Sequence, residues 1–375
     1  MAIEVTKYPN AYSFVGNSII FELQKDSNDY VSIELTVGDK NYVLTYYPYQ
    51  RSDNQYIIHA NLSDYLKFES ELQIPEDDII VPIQDFRLPY HVKIGNNYQF
   101  YGIALRGGIS NHLLRQLAKN GYDLFSYRLL SPIFQFLFTT RTNGREIRLK
   151  DTELFPFVFI HLGFTMIFRS ESGYEITIQP QPAATFCAMN IRLLLEQFPT
   201  GTKRIEVCPG GDYAFHFTIL PSKLSEEKYL LRFRNSLGAF EVLEVSGKAM
   251  HTPEFSEESK YENFDDEFNI YEEHRSRVNS KGIIEVETGY KDRLEFPFIL
   301  DLLQSDEIYF IYPGGDLFRC HVNADSVQFR QLMTEPTSIK LKIREVTDEE
   351  FTTPKIEFPD DLNRIFDEEF GEQFI

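Results

Sequence analysis

The chain has 375 residues, 42% of them hydrophobic, and a formal net charge of −20, a balance that excludes a basic nucleic-acid-binding face. Residues 1–10 are polar and mixed, without the charged-then-apolar order of a secretory signal, and no apolar run approaches about 18 residues. A soluble protein without membrane insertion is expected, with room for two to four domains at roughly 100–200 residues each.

Residues 1–105 read as a seven-strand β-sandwich. Val31-Ser-Ile33-Glu-Leu35-Thr-Val37 alternates with period two, turns at Gly38-Asp39-Lys40 and returns through residues 42–47, a clear hairpin. Strands are also expected at 19–23, 55–60, 79–81, 90–94 and 98–105, with Asn61 or Ser63 capping a short helical turn.

A middle region, 106–173, begins with a helix. Ser110 is a good N-cap, Leu113, Leu114 and Leu117 form an apolar stripe, and Asn120-Gly121 is a stop. Asn143-Gly144 between residues 134–140 and 145–149 signals a second hairpin. Strands are expected over 155–161 and 165–168.

The remainder writes one pattern twice. Pro209-Gly210-Gly211-Asp212 joins two strand-like runs, and Pro313-Gly314-Gly315-Asp316 does the same 104 residues on. Proline presets φ and glycine tolerates positive φ, so both are turns between strands. Thr252-Pro253 recurs as Thr353-Pro354 and Phe264-Asp-Asp-Glu-Phe268 as Phe366-Asp-Glu-Glu-Phe370, in the same order and at nearly the same spacing. Two tandem modules, 174–281 and 282–375, are therefore expected. The 229–245 hairpin in the first has Ile339-Lys-Leu341-Lys-Ile343 as its counterpart. The whole is a mainly β chain of several sandwich-like domains in series, with few short helices and a duplicated second half.

Acidic charge is concentrated where each module ends. Residues 254–273 hold nine acids against Lys260, and 345–375 hold eleven against Lys355 and Arg364. Tyr261, Phe264, Phe268 and Tyr271 fit one face of a helix, and Phe366, Phe370 and Phe374 form a similar stripe in a C-terminal arm. The arm has no following domain to cover it, so those phenylalanines are expected to dock on a partner.

Chemistry-bearing patterns are sparse. The eight histidines show no metal-ligand spacing, and the serine-hydrolase elbow, the P-loop and the dinucleotide fingerprint do not occur. His161 reads as a satisfied core histidine, and Cys187, Cys208 and Cys320 as buried strand thiols. Cys208 and His216 flank the first turn, a pairing the second copy does not keep. Asp265-Asp266-Glu267, on the expected helix, diverge too far for a calcium loop. No catalytic residue, metal or cofactor is expected.

Three stretches carry a resemblance: ALRGGIS at 104–110, FTTRTNG at 138–144 running on to Phe155, and YLLRFRNSLGAFEVLEVSG at 229–247. They resemble segments of large proteins from phages and prophages of anaerobic gut bacteria, often virion components at the tail or its tip. The resemblance covers about half the chain, and its motifs are turns and strands without attached chemistry. It implies a non-enzymatic tail or tail-adaptor protein, made in the host cytoplasm and assembled as a homo-oligomeric ring with other virion proteins. The alternative is a host-glycan-binding tail-tip module using exposed tyrosines; a cytoplasmic enzyme is a third possibility.

Overall fold

The computed structural model describes residues 3–50, 56–67, 77–84, 86–95, 97–119, 137–141, 145–183, 185–221, 229–257, 260–275, 278–291, 293–313, 317–324 and 337–346. The chain is mainly β, with several sheets and three short α-helices. It divides into two compact units: Met1–Met250 with Glu285–Ile343, and His251–Ile284 with Arg344–Ile375.

The first unit opens with β1 (Glu4–Lys7), β2 (Tyr12–Phe14), β3 (Ile20–Lys25), β4 (Val31–Val37), β5 (Lys40–Tyr46), β6 (Tyr49–Gln50), β7 (Tyr56–Asn61), β8 (Ile80–Pro82), β9 (Arg87–Ile94) and β10 (Tyr98–Leu105). Sheets β1-β3-β7-β6 and β2-β10-β9-β4-β5 enclose a core that includes Phe21, Leu23, Ile33, Leu35, Ile58 and Val92. Alternation makes this sandwich: in β4, Val31, Ile33 and Leu35 are buried while Ser32 and Glu34 are exposed. Its turn lies at Gly38, where φ is +55°, and Asn61 Oδ1 accepts the Ser63 N–H at the short helical turn. The sandwich has nine strands rather than seven, and the strand expected over 79–81 is not among them. That strand, β8, pairs with a later one, because its apolar residues join a different core.

Next come α1 (Asn111–Lys119), β11 (Glu146–Lys150), β12 (Pro156–His161), β13 (Met166–Ser170), β14 (Glu175–Ile178), β15 (Thr185–Asn190), α2 (Ile191–Glu196), β16 (Arg204–Pro209) and β17 (Phe215–Leu220). Sheets β12-β15-β8 and β11-β17-β16-β13-β14 share one core, with Phe157, Phe159, Phe186 and Phe217 fully or nearly fully buried. The hairpin expected around Asn143-Gly144 is not formed by β11, which runs parallel to β17, while Leu137 bridges Phe159. Residues 142–144 themselves lie outside the described residues.

The last strands are β18 (Tyr229–Arg234), β19 (Phe240–Glu257), β20 (Lys260–Asp265), β21 (Ile270–Arg275) and β22 (Val278–Glu287), then α3 (Phe296–Gln304), β23 (Ile308–Ile311), β24 (Leu317–Asn323) and β25 (Lys340–Glu345). Strands β18-β19-β22-β25-β24-β23 close a barrel. The 281/282 boundary therefore runs through β22 of this barrel. The 229–245 hairpin belongs with β23–β25 rather than with the first PGGD turn, because its ladder hydrogen bonds go to β23.

A repeat is nonetheless present, in a different frame. Antiparallel neighbours β14-β13-β16-β17 correspond to β19-β18-β23-β24, and in each set a strand and a helix (β15 and α2, β22 and α3) precede the PGGD hairpin. The turns occupy equivalent places between β16 and β17 and between β23 and β24. The second set also contains β20 and β21, which have no counterpart in the first, and this extra hairpin lengthens the spacing between the copies.

The helix expected over 261–271 is instead the β20–β21 hairpin. Asp265 Oδ1 accepts the N–H groups of Glu267 and Phe268 at 2.8 and 3.3 Å, and Asn269 takes φ +53°, the left-handed value that Asn tolerates better than most residues. Those side-chain-to-backbone bonds stop a helix and fold a four-residue turn.

Candidate functional site

At the first PGGD turn, Gly210 and Gly211 take φ +66° and +96°, and the Gly211 and Asp212 N–H groups donate to Cys208 O and Pro209 O. Gly210 also donates to Thr165 O at 2.8 Å, tying the turn to the edge of β13. The turn is thus a structural clasp. Pro313 follows β23, whereas Gly314, Gly315 and Asp316, like Phe366, Phe370 and Phe374, lie outside the described residues.

The stretches 104–110, 138–141 and 229–247 meet at one joint. Gly107 and Gly238, with φ +93° and +89°, lie backbone against backbone. A Cβ on Gly238 would lie 2.6 Å from the Arg106 carbonyl oxygen, and one on Gly107 would lie 2.4 Å from that of Ser236. Only glycine permits this approach and this φ together. The Gly108 N–H donates to Ser236 O at 2.6 Å, and the Asn17 side chain both donates to and accepts from the Ile109 backbone at 2.8 Å.

Beside the glycines lies a buried charged network. Arg141 Nη1 donates to Glu153 Oε2 at 2.6 Å, and Nη2 donates to Val242 O. The guanidinium also lies over the Phe298 ring, 4.1 Å from its centroid. Glu153 Oε1 accepts the Glu244 N–H at 2.7 Å. Glu241 Oε1 accepts from Thr139, the Thr140 N–H and Asn235, while Glu241 Oε2 stands 3.8 Å from Arg141 Nε. Lys150 donates to Glu244 at 2.7 Å, and Asp301 accepts from the Ser236 N–H and the Thr140 hydroxyl.

Burial and pairing divide the carboxyls. Burial pushes Glu153 up, but Arg141, Lys291 and two backbone N–H donors outweigh it and hold its pKa low. Burial dominates at Glu241, which is pushed up to about 7, and raises Asp301 too. Arg141, Lys150 and Lys291 face more carboxyls than they can balance, and the excess is relieved by protons. At no more than 4% exposure, Arg141, Glu153 and Glu241 are out of a substrate's reach, so this network fixes geometry rather than turning anything over.

His161 is buried and accepts the Gly163 N–H at Nδ1. Cys187, Cys208 and Cys320 are free and buried, and burial raises the first two thiols. His216 Nδ1 lies 2.7 Å from the Tyr213 hydroxyl. Among the described residues no group of three or more His, Cys, Asp or Glu could hold a metal, and no helix is long and apolar enough to cross a membrane.

Two outward aromatic faces complete the picture. On sheet β1-β3-β7-β6, His59 Nε2 lies 3.1 Å from Glu22 Oε2 and 3.3 Å from the Tyr49 hydroxyl, and Thr6 donates to Glu22 Oε1. The bonds from Thr6 and then His59 hold the Glu22 carboxyl low. On the β20–β21 hairpin, Tyr261, Phe264, Phe268, Ile270 and Tyr271 are each 46–71% exposed.

The sequence did not mark Arg141, Glu153 or Glu241 as a group. The available signal was Glu241 and Glu244 inside the otherwise apolar run 239–245, since charges in a buried strand require partners.

No family model matches this chain, and no curated protein matches it. A crystal structure of Dpr2 Ig1-Ig2 in complex with DIP-Theta Ig1-Ig3 is similar over 92% of this chain and 89% of its own, at 10% identity and a TM-score of 0.17. A likeness at that score carries no argument about fold or function.

Proposed function

We propose that this chain is a non-enzymatic structural protein of a phage virion, a tail or tail-adaptor ring subunit assembling with copies of itself and other virion proteins. One observation carries the reading: the three stretches that resemble phage structural proteins converge on a single joint of stacked glycines and buried charges. A joint of this kind holds sheets at fixed relative positions, as a subunit bearing load within a ring requires. The C-terminal arm, with Phe366, Phe370 and Phe374, supplies a docking element in this scheme. Truncation after Pro354 tests that part. Loss of assembly in sedimentation, with an unchanged melting temperature, is expected. Unchanged assembly with a lowered melting temperature would contradict it.

The second reading, a host-glycan-binding module, is favoured by Tyr49, His59 and Glu22 standing together on an exposed sheet face. A tyrosine ring edged by hydrogen-bonding groups suits a sugar ring and its hydroxyls. Saccharide-array binding that disappears in Tyr49→Ala would establish it.

A further inference from the structure

We propose that the β20–β21 hairpin is a docking surface for an extended basic segment of another protein, which adds beside the hairpin as a third strand and lays a Lys or Arg against it. Register fixes which side chains share a face. Glu262 stands opposite Glu273, and Phe264 opposite Tyr271, with their ring centroids 4.9 Å apart. Residues two apart on a strand point the same way, so all four project from one face, an acidic pair next to an aromatic pair. Such a face binds a cation twice, through the carboxylates and through the ring faces.

The backbone points the same way. β20 and β21 form a two-stranded sheet, so each has an edge without a partner strand among the described residues. An isolated two-stranded hairpin is marginal in water, and open edges invite strand addition. A strand beside β20 would set one residue next to Glu262 and the residue two along next to Phe264. The matching segment therefore carries a base and an apolar side chain at alternate positions on one face.

Charge selects the occupant. Residues 261–273 hold six acids and no base, in a chain of net charge −20. A second copy of this hairpin would bring like charges together, whereas a basic segment neutralises them. The surface does not depend on the chain being a virion protein.

The test uses the full chain and a fluorescein-labelled peptide of alternating lysine and valine, followed by anisotropy. Phe264→Ser/Tyr271→Ser removes the rings and no charge, and Glu262→Gln/Glu273→Gln removes two charges. Each is expected to weaken binding about tenfold or more. Asp26→Asn/Asp39→Asn removes two exposed charges from the first unit and is expected to leave affinity nearly unchanged. Absence of binding by the parent chain overturns the proposal. So does equal weakening in the Asp26/Asp39 variant, which would reveal general charge attraction. Self-association abolished by Phe264→Ser/Tyr271→Ser would assign the face to a second copy instead, and also overturns it. Unchanged melting temperatures in the variants show that the effect lies in docking.

Discussion

Arg141 and Glu153 form a buried ion pair, Nη1 to Oε2 at 2.6 Å, with both side chains at most 5% exposed. The pair crosses from the segment before β11 to the loop after it. Through the Glu244 N–H and Val242 O it grips β19 of the barrel. A buried pair is weak evidence of net stability, because desolvation offsets much of the attraction. Breaking it is another matter.

Arg141→Met leaves Glu153 buried without its closest cation, and is expected to lower unfolding stability by about 3–5 kcal/mol. Urea denaturation measures this. A loss below about 1 kcal/mol would mean that the joint relaxes and admits water.

Glu241 carries a pH signature. Its folded pKa, about 7, is raised above the ordinary 4.5, so folding favours the protonated form. The stability it contributes is fully present below about pH 4.5 and is lost as pH rises through 7. The shift corresponds to about 3 kcal/mol. Glu241→Gln mimics the protonated form, so the variant gains on the parent between pH 4.5 and 8 and matches it at the acidic end. Parallel stability curves for the two proteins over that range would contradict the assignment.

Two glycines with similar φ are expected to differ. Gly211, at φ +96°, has nothing within 4 Å of an added Cβ, so Gly211→Ala costs only backbone strain, about 1–2 kcal/mol. Gly238→Ala meets the Arg106 carbonyl as well and is expected to cost clearly more. Melting temperatures rank the two, and equal losses would show that the Gly107–Gly238 contact opens freely.

The sequence disclosed what depends on local chemistry. Alternation at Val31, Ile33 and Leu35 gave β4 and its return strand, and Pro209–Asp212 gave a turn with the positive φ expected of its glycines. Pairing between distant strands was not legible. β8 looked like a sandwich strand and joined another sheet, and the 229–245 hairpin closed a barrel with strands from the following module. At 261–271 the aromatic spacing fitted a helix, but Phe264 and Tyr271 sit across a four-residue turn, which places two rings together at a similar separation. There Asp265 and Asn269 decided between the two. The buried joint was hidden because Glu241 reads as a charge in a strand until Thr139, Asn235 and Arg141 are brought to it.

The central claim is that this chain builds a virion. Negative-stain electron microscopy of the purified full chain tests it most directly. Closed rings of uniform diameter are the expected result, and single particles of one chain at every protein concentration would contradict it.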